Sequence, residues 1–377
     1  MPITTRAGAA LAVGLCAVAG CALLVPGLVL GAEAPVTPVD KPAAAAGRPA
    51  ADPSPGTLLV TLGWGDGPGE VGVLRPVEGL ARAPEALAVA PNGRIAVLDS
   101  VNKRVVFLDA GGRPEGTADI PLAEPRFLAV DDERLYVLDC DADRRIVTFD
   151  WSGAVLDATA LPELSDVVTG IFATEAGPCV EVAHDSVFLV AGGAPVDGLD
   201  RTQAVSGRAP LRSLAGRPLD PTLSRAAKAT FTPKNGLRIQ SFQIDRNTLN
   251  AKKTAESTPA LAAGRAIEHL VSVDSDGGEG LVVGARLLDV ETAGGPSAAG
   301  RDRACLLLTR FAADGRGRDA GDGLLLTESS FAYLGQPYVV APDGRVFQPV
   351  ADESGYSILV HSFANAETPL VAEEVLP

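Results

Sequence analysis

The sequence predicts an all-β protein with the architecture of a six-bladed β-propeller, and three observations support this fold class. Short apolar stretches recur at a spacing of about 40 residues, which is typical of a propeller blade. The chain contains 41 glycines and 29 prolines, so it is rich in turn formers for a sequence that is 46% hydrophobic. After Gly56 almost no segment shows the periodicity of a helix.

The clearest pair of repeats begins at Pro84 and Pro125. Residues 84–99 read as a strand, a tight polar turn and a second strand, and residues 125–139 repeat this order. Each copy continues into a third apolar stretch, at residues 104–109 and 145–150. Because one copy cannot cover its own hydrophobic faces, we expect neighbouring copies to stack as blades around an axis.

Four further units follow the same pattern more loosely. They cover residues 166–190, 231–245 with an Asn235-Gly236 turn, 267–311 with an Asp276-Gly277-Gly278 turn, and 337–363. Residues 57–62 or 369–376 are expected to supply the strand that closes the ring. Polar stretches interrupt the pattern, and we expect loops or outer strands there that could carry partner contacts, at residues 194–227, 246–264 and 294–302.

The first 33 residues predict an export segment. A single cation, Arg6, precedes residues 7–31, which carry no charge and are long enough to span a bilayer. Three outcomes stay open: cleavage of a signal peptide, an uncleaved membrane anchor, or lipidation of Cys21 in the lipobox-like sequence Val-Ala-Gly-Cys. Residues 34–56 are rich in Ala and Pro and predict a disordered linker, which leaves residues 57–377 for the propeller. The protein is therefore expected outside the cytoplasm, as a periplasmic, secreted or membrane-tethered protein.

The charge balance and the cysteines restrict the partners and the means of stabilisation. A formal net charge of −15 argues against nucleic-acid binding, which draws on clustered Lys and Arg. Membrane contact is expected only through the N-terminal segment or a lipidated Cys21. The folded part holds three cysteines, Cys140, Cys179 and Cys305, so no disulfide framework is expected. A Cys140–Cys179 bridge and three small buried residues are the two alternatives.

The segment around the first repeat resembles an NHL repeat. Residues 65–70 form a Gly-Asp-Gly-Pro-Gly-Glu lead-in, residues 84–99 follow, and Asn102 with residues 104–109 completes the unit. The resemblance extends to residues 123–153 and 337–363 and is poor between residues 166 and 310. It implies a six-bladed propeller that binds protein, peptide or glycan, while a few members of the family are metal-dependent lyases.

Candidate chemistry is sparse. The three histidines, His184, His269 and His361, occupy different places in their repeats, so we do not expect them to converge on one metal ion. Asp139, Asp141 and Asp143 resemble the start of a calcium loop, in which alternate carboxylates converge on the cation. The motif lacks its glycine and its distal glutamate, and a solvated acidic turn is the alternative.

The equivalent strand ends at Asp99 and Asp139 have a structural explanation as well. Each carboxylate is expected to accept hydrogen bonds from the turn that follows it, and Arg104 and Arg145 are expected to pair with such groups across blades. We find no nucleophile elbow, phosphate loop or Cys/His arrangement that would indicate covalent catalysis.

These observations favour a non-enzymatic binding scaffold or sensor ectodomain for a protein, peptide or glycan, with no assigned cofactor. The alternative is a calcium-supported hydrolase or lyase that uses the central channel of the propeller.

Overall fold

The computed structural model of the chain describes residues 56–161, 164, 167–184, 186–190, 213–214, 216–232, 236–246, 248–259, 266–288, 305–312 and 323–363. All regular secondary structure in this part is β-strand, which confirms the all-β class. No helix in it is long and apolar enough to cross a membrane. The predicted export segment, Cys21 and most of the predicted linker lie outside the described residues, and their assignments stay predictions.

The strands of the first half, in chain order, are β1 (Thr57–Trp64), β2 (Glu70–Val71), β3 (Ala81–Arg82), β4 (Ala86–Val89), β5 (Ile95–Asp99), β6 (Arg104–Leu108), β7 (Pro114–Asp119), β8 (Phe127–Val130), β9 (Arg134–Asp139), β10 (Arg145–Asp150), β11 (Val155–Ala160), β12 (Val168–Phe172), β13 (Cys179–Val182) and β14 (Ser186–Leu189). The second half contributes β15 (Ser213–Leu214), β16 (Arg217–Pro218), β17 (Arg225–Thr232), β18 (Gly236–Ile244), β19 (Ala251–Ser257), β20 (Ala266–Ser275), β21 (Leu281–Leu288), β22 (Cys305–Phe311), β23 (Gly323–Thr327), β24 (Ala332–Tyr333), β25 (Val339–Val340), β26 (Val346–Ala351) and β27 (Tyr356–His361).

Six antiparallel sheets form the blades of a six-bladed β-propeller. From the innermost strand outward, blades 1 to 5 are β4-β5-β6-β7, β8-β9-β10-β11, β12-β13-β14-β15, β16-β17-β18-β19 and β20-β21-β22-β23. Blade 6 is β25-β26-β27-β1, to which β2 adds a short parallel pairing with β1. A two-stranded parallel sheet pairs β3, which precedes blade 1 in the chain, with β24, which precedes β25 of blade 6. The predicted architecture is confirmed.

Each blade packs on the next one through its own apolar cluster. Between blades 1 and 2, for example, Leu98 and Phe107 of the first blade join Leu135 and Phe149 of the second, all at most 3% exposed. Corresponding clusters join blades 2 and 3, 3 and 4, 4 and 5, 5 and 6, and 6 and 1. A buried Leu or Phe side chain contributes about 1.5–3 kcal/mol, so the blades stabilise one another, as expected from repeats that cannot fold singly.

The ring is closed by its N-terminal strand. β1 pairs antiparallel with β27, with Thr57 opposite Val360 and Leu62 opposite Tyr356, so one blade contains both ends of the described chain. Leu62 and Tyr356 are both almost fully buried. This confirms residues 57–62 as the closing strand; the other candidate, 369–376, lies outside the described residues.

Glycine turns hold the hairpins where the sequence places them. Gly93 and Gly344 have φ values of +86° and +83°, which glycine adopts without strain. Gly277, with φ +82°, also allows a close approach between blades: a Cβ there would lie 2.6 Å from the carbonyl carbon of Asp343 in the turn of blade 6. Asn235, in the predicted turn of blade 4, lies outside the described residues, and Gly236 begins β18.

Two of the segments expected as loops or outer strands contain regular structure. In the stretch 194–227, β15 is the outer strand of blade 3, in agreement with the expected outer strand. The inner strand β16 and the start of β17 belong to the inner half of blade 4, so the expectation is wrong for these residues. The stretch 246–264 contains β19, the outer strand of blade 4, in agreement with the expected alternative of an outer strand. Residues 294–302 lie outside the described part.

No disulfide bond joins the cysteines of the described residues. Cys140 and Cys179 are free thiols in two different apolar clusters, so the bridge between them is not formed. Burial raises the pKa of Cys140 to about 11 and that of Cys179 to about 12. Both act as small buried side chains, as in the other alternative, whereas the third cysteine, Cys305, is only partly buried.

Candidate functional site

A central channel of about 570 Å³ runs between the innermost strands of all six blades, β4, β8, β12, β16, β20 and β25. Its volume falls within the range of about 300–1,000 Å³ that is typical of small-molecule sites. The channel is therefore the candidate binding site.

Polar side chains are more numerous on one side of the channel than on the other. On the side of blades 1 and 2, β4 and β8 contribute the sequences Ala-Leu-Ala-Val and Phe-Leu-Ala-Val, and the charged residues Glu85, Arg126 and Asp131 line the channel at the ends of these strands. On the side of blades 3 to 6, the wall carries hydroxyl, imidazole, carboxylate and guanidinium groups. We define the polar network as the connected side chains on and just behind this side: Thr169, Glu181, His184, Arg217, Ser272, Asp274 and Tyr338.

Glu181 and Arg217 form the centre of the polar network and join blade 3 to blade 4. Arg217 donates from Nε to Oε1 and from Nη2 to Oε2 of Glu181, the second bond measuring 2.8 Å. The Glu181 side chain is 2% exposed and that of Arg217 is 11% exposed. Burial alone would raise the pKa of Glu181, but the hydrogen bonds and charge of Arg217, with a smaller contribution from His184, lower it to about 2. Glu181 is therefore a carboxylate at neutral pH.

Two further groups hold the Glu181 carboxylate. The Thr169 hydroxyl donates to Oε2 at 2.9 Å, and Nδ1 of His184 lies 3.2 Å from the same oxygen. The backbone N–H of His184 in turn donates to the Thr169 hydroxyl at 3.0 Å. Ala183 and His184 both have positive φ, 53° and 52°, a conformation uncommon for residues other than glycine. Lys103 and Arg144 have the same backbone conformation immediately before β6 and β10, so this turn is a feature that several blades share.

The network continues across the channel wall to blades 5 and 6. Nη1 of Arg217 lies 3.8 Å from Oδ1 of Asp274, which is too far for a hydrogen bond. The Ser272 hydroxyl donates to Oδ2 of Asp274, so the Tyr338 hydroxyl, 2.6 Å from Ser272 Oγ, donates to Ser272. Burial raises the pKa of Asp274 more than Arg217 and Ser272 lower it.

Tyr338 reaches this position because Gly284 leaves room for it. A Cβ on Gly284 would lie 1.6 Å from the Tyr338 hydroxyl oxygen. Gly284 is on β21 of blade 5, and Tyr338 immediately precedes β25 of blade 6. The absence of a side chain in one blade thus positions a hydroxyl group from the next.

Two of the three histidines line the channel, and the third is buried within a blade. His361 is buried in blade 6, where Nε2 lies 3.0 Å from Oε1 of Gln348. His184 and His269 both line the channel, with side chains 51% and 47% exposed. In the part of the chain that the structure describes, no group of three or more His, Cys, Asp or Glu side chains is placed to hold a metal ion.

The three aspartates of the calcium hypothesis are engaged by different donors. Asp139 accepts hydrogen bonds from the backbone N–H groups of Glu124, Asp141 and Ala142 at 2.7, 3.1 and 2.8 Å. Asp141 accepts from Arg126 at 2.8 Å, and Asp143 accepts from the N–H of Ala123 at 2.7 Å. Asp139 thus caps the following turn, as expected. Calcium binding here, and a calcium-supported hydrolase or lyase with it, stays a hypothesis.

The part of blade 1 that resembles an NHL repeat forms a rigid corner. Asp99, fully buried, accepts hydrogen bonds from Asn102 Nδ2 at 2.8 Å and Arg104 Nε at 3.0 Å. Arg104 also donates to the carbonyls of Asp66 and Glu70 in the glycine-rich lead-in. The carboxylate partner of Arg104 lies in the same hairpin, so the expected pairing with a carboxylate across blades is wrong for this residue. Its bonds to the carbonyls of Asp66 and Glu70 do reach the segment around β2 of blade 6. Arg145 is exposed.

Sequence reasoning missed Glu181, Arg217, Ser272, Asp274 and Tyr338. One signal was available, because Glu181 is a single charge in the apolar strand Cys-Val-Glu-Val and a buried charge requires a partner. Arg217 stands in a stretch that was expected to be an external loop or outer strand, and its strand β16 is only two residues long.

No family model matches the chain, and none of the curated proteins matches it. Among solved structures, hydrazine synthase from Kuenenia stuttgartiensis is similar at 14% identity over 70% of this chain and 72% of that chain, with a TM-score of 0.41. A streptogramin B lyase is similar at 14% identity over 74% and 93%, with a TM-score of 0.37. A protein of unknown function from Bacteroides caccae is similar at 14% identity over 65% and 82%, with a TM-score of 0.35. Likenesses at this level carry no information about what this chain binds.

Proposed function

We propose that the chain is an exported binding scaffold of NHL type that holds part of a protein, peptide or glycan ligand in its central channel, without covalent catalysis. The observation that carries the proposal is the polar network, which presents donors and acceptors to a channel of ligand size. The rigid ring of blades keeps these groups in place before a ligand arrives, which lowers the entropic cost of binding.

Two arginines on the channel, Arg217 and Arg286, are paired with carboxylates, which favours ligand binding. Glu181 and Arg217 satisfy each other, and Arg286 of blade 5, also on the channel, is paired with Glu328. A fixed, compensated set of polar groups is suited to orient a ligand by hydrogen bonds. The resemblance of blade 1 to an NHL repeat supports the same function, since members of that family bind proteins, peptides and glycans.

A channel-narrowing variant tests the site. The full-length protein is applied to an array that carries defined peptides, neutral saccharides and charged saccharides. His269→Trp places a larger side chain on the channel wall, and Lys252→Trp, on the exposed outer strand β19, is the matched control. We expect the ligands bound by the unmodified protein and by Lys252→Trp to be lost in His269→Trp. Equal binding by all three proteins would place the ligand elsewhere, and a blank array would overturn the scaffold proposal.

Export is tested on the same protein. The charge-free residues 7–31 support it, and cleavage, lipidation of Cys21 and retention of an anchor each give a different mass of the mature N-terminus. An intact, unmodified N-terminus on protein from the soluble cytoplasmic fraction would overturn this part of the proposal.

A further inference from the structure

Arg217 and Asp274 lie side by side on the wall of the channel as a loose ion pair without a direct hydrogen bond. Nη1 of Arg217 is a donor, Oδ1 of Asp274 is an acceptor, and 3.8 Å separates them. The other nitrogens of Arg217 are directed at Glu181, and the other oxygen of Asp274 at Ser272. The two atoms are too far apart to bond each other and too close for a group to lie between them, so a hydroxyl on the channel side can lie within hydrogen-bond distance of both, accept from Arg217 and donate to Asp274.

We propose that this pair is a subsite for the hydroxyl groups of a neutral saccharide. A hydroxyl oxygen accepts a hydrogen bond from Arg217 Nη1, and the same hydroxyl or its neighbour on the sugar ring donates to Asp274 Oδ1. The inference rests on the proposed function, because it names the ligand class for the channel described there.

The local charges favour a ligand without net charge. An anionic group close enough to bond Arg217 would lie beside the Asp274 carboxylate and behind it would meet Glu181, which is ionised. A cationic group that approached Asp274 would meet Arg217 in the same way. A neutral hydroxyl can bond both Arg217 and Asp274, and it adds no charge beside the ion pairs that Arg217 forms with Glu181 and Asp274.

The shape of the channel suits a sugar ring. A saccharide has hydroxyl groups around its edge and apolar C–H faces, and the channel offers both the polar network and the apolar strands β4 and β8. Tyr333 lines the channel with its side chain 54% exposed and can pack against a C–H face.

Asp274 is held in position from behind. Ser272 fixes Oδ2, Tyr338 fixes Ser272, and Gly284 gives Tyr338 its space, so Oδ1 is the oxygen left to the ligand. Asp274→Asn keeps the size of the side chain and removes the charge of the acceptor. The matched control is Asp157→Asn, on the exposed outer strand β11.

The experiment uses the full-length protein and the same array of neutral saccharides, charged saccharides and peptides. We expect binding to neutral saccharides, weakened roughly three- to tenfold in Asp274→Asn, because a neutral amide oxygen accepts a weaker hydrogen bond than a carboxylate, and unchanged in Asp157→Asn. Circular dichroism confirms that each variant is folded. If Asp274→Asn is unfolded, Ser272→Ala, which frees Asp274 from its support, takes its place with the same direction of change.

The outcomes separate this inference from the proposed function. Neutral saccharides that bind equally well in Asp274→Asn but not in His269→Trp would overturn the subsite and leave the channel as the binding site. Peptides or charged saccharides as the ligands lost in His269→Trp would overturn the saccharide class and again leave the channel. An array without any bound ligand would overturn both.

Discussion

Replacing Arg217 by methionine tests how much the buried ion pair of Arg217 and Glu181 stabilises the folded protein. Glu181 would keep its burial, with 2% of the side chain exposed, and lose its main partner. Its pKa of about 2, against the usual 4.5, corresponds to roughly 3 kcal/mol in favour of the ionised form in the folded protein. Breaking one side of a buried pair costs about 3–5 kcal/mol. We therefore expect Arg217→Met to lower the free energy of unfolding by that amount at pH 7.

The stability difference between the two proteins should also depend on pH. Because folding lowers the pKa of Glu181, the stabilisation is complete above about pH 4.5 and is lost as the pH falls towards 2. In Arg217→Met, Glu181 takes up its proton at a higher pH. The difference in stability between the two proteins should therefore shrink on acidification.

Urea unfolding, followed by the fluorescence of Trp64 and Trp151, measures the difference at pH 7 and at pH 3, provided that the m values agree. The control is Arg75→Met, which breaks a pair to Glu353 whose side chains are 54% and 79% exposed. Such a pair contributes about 0–1 kcal/mol. Equal losses in the two variants, or a loss of the same size at both pH values, would refute the reasoning.

Three further predictions concern a turn, the thiols and calcium. Gly277→Ala should lower the thermal midpoint, with a cost of about 1–3 kcal/mol, because of its φ of +82° and the blade 6 backbone 2.6 Å from the added Cβ; Gly278→Ala, with its nearest neighbour at 3.4 Å, should change it little. Cys140 and Cys179 should react with a thiol reagent only on unfolding, since burial raises the pKa of both, and fast labelling of the native protein at either one would contradict this. If Asp139, Asp141 and Asp143 bind calcium, calorimetry should show a stoichiometric ion that Asp141→Asn weakens, and a flat titration would remove the hypothesis.

The parts of the fold that local chemistry determines could be predicted from the sequence. The hairpin turns at Gly93 and Gly344 need positive φ, and each is flanked by apolar runs of strand length. The need to cover the edge of the last blade predicted a closing strand and left two candidates, of which the structure shows β1 in this role. These inferences use residues that are close together in the chain or a rule that applies to every closed ring.

The polar network could not be predicted, because it depends on pairings between blades. Glu181 could be recognised as a charge in need of a partner, but Arg217 lies 36 residues further along, in a strand too short to show periodicity. Asp274 meets Arg217 only because β16 and β20 are the inner strands of adjacent blades. The register of neighbouring blades is a property of the folded ring and leaves no trace in either strand alone.

Blades 1 and 3 use charge in different ways, and the difference leads to a last prediction. In blade 1, Asp99 and Arg104 lie in one hairpin and hold its corner, where the repeat pattern is strongest. The pair of Glu181 and Arg217 joins two blades beside the channel, where the pattern is weakest, and departures from local rules are expected at functional sites. A buried ion pair replaced by apolar side chains of similar volume is often neutral or stabilising, while the removal of one partner is not. If the pair is retained for binding, Glu181→Leu combined with Arg217→Met should recover the stability lost in Arg217→Met alone and still fail to bind any ligand on the array. A double variant that stays as unstable as the single one, or that binds normally, would assign the pair to the architecture of the ring.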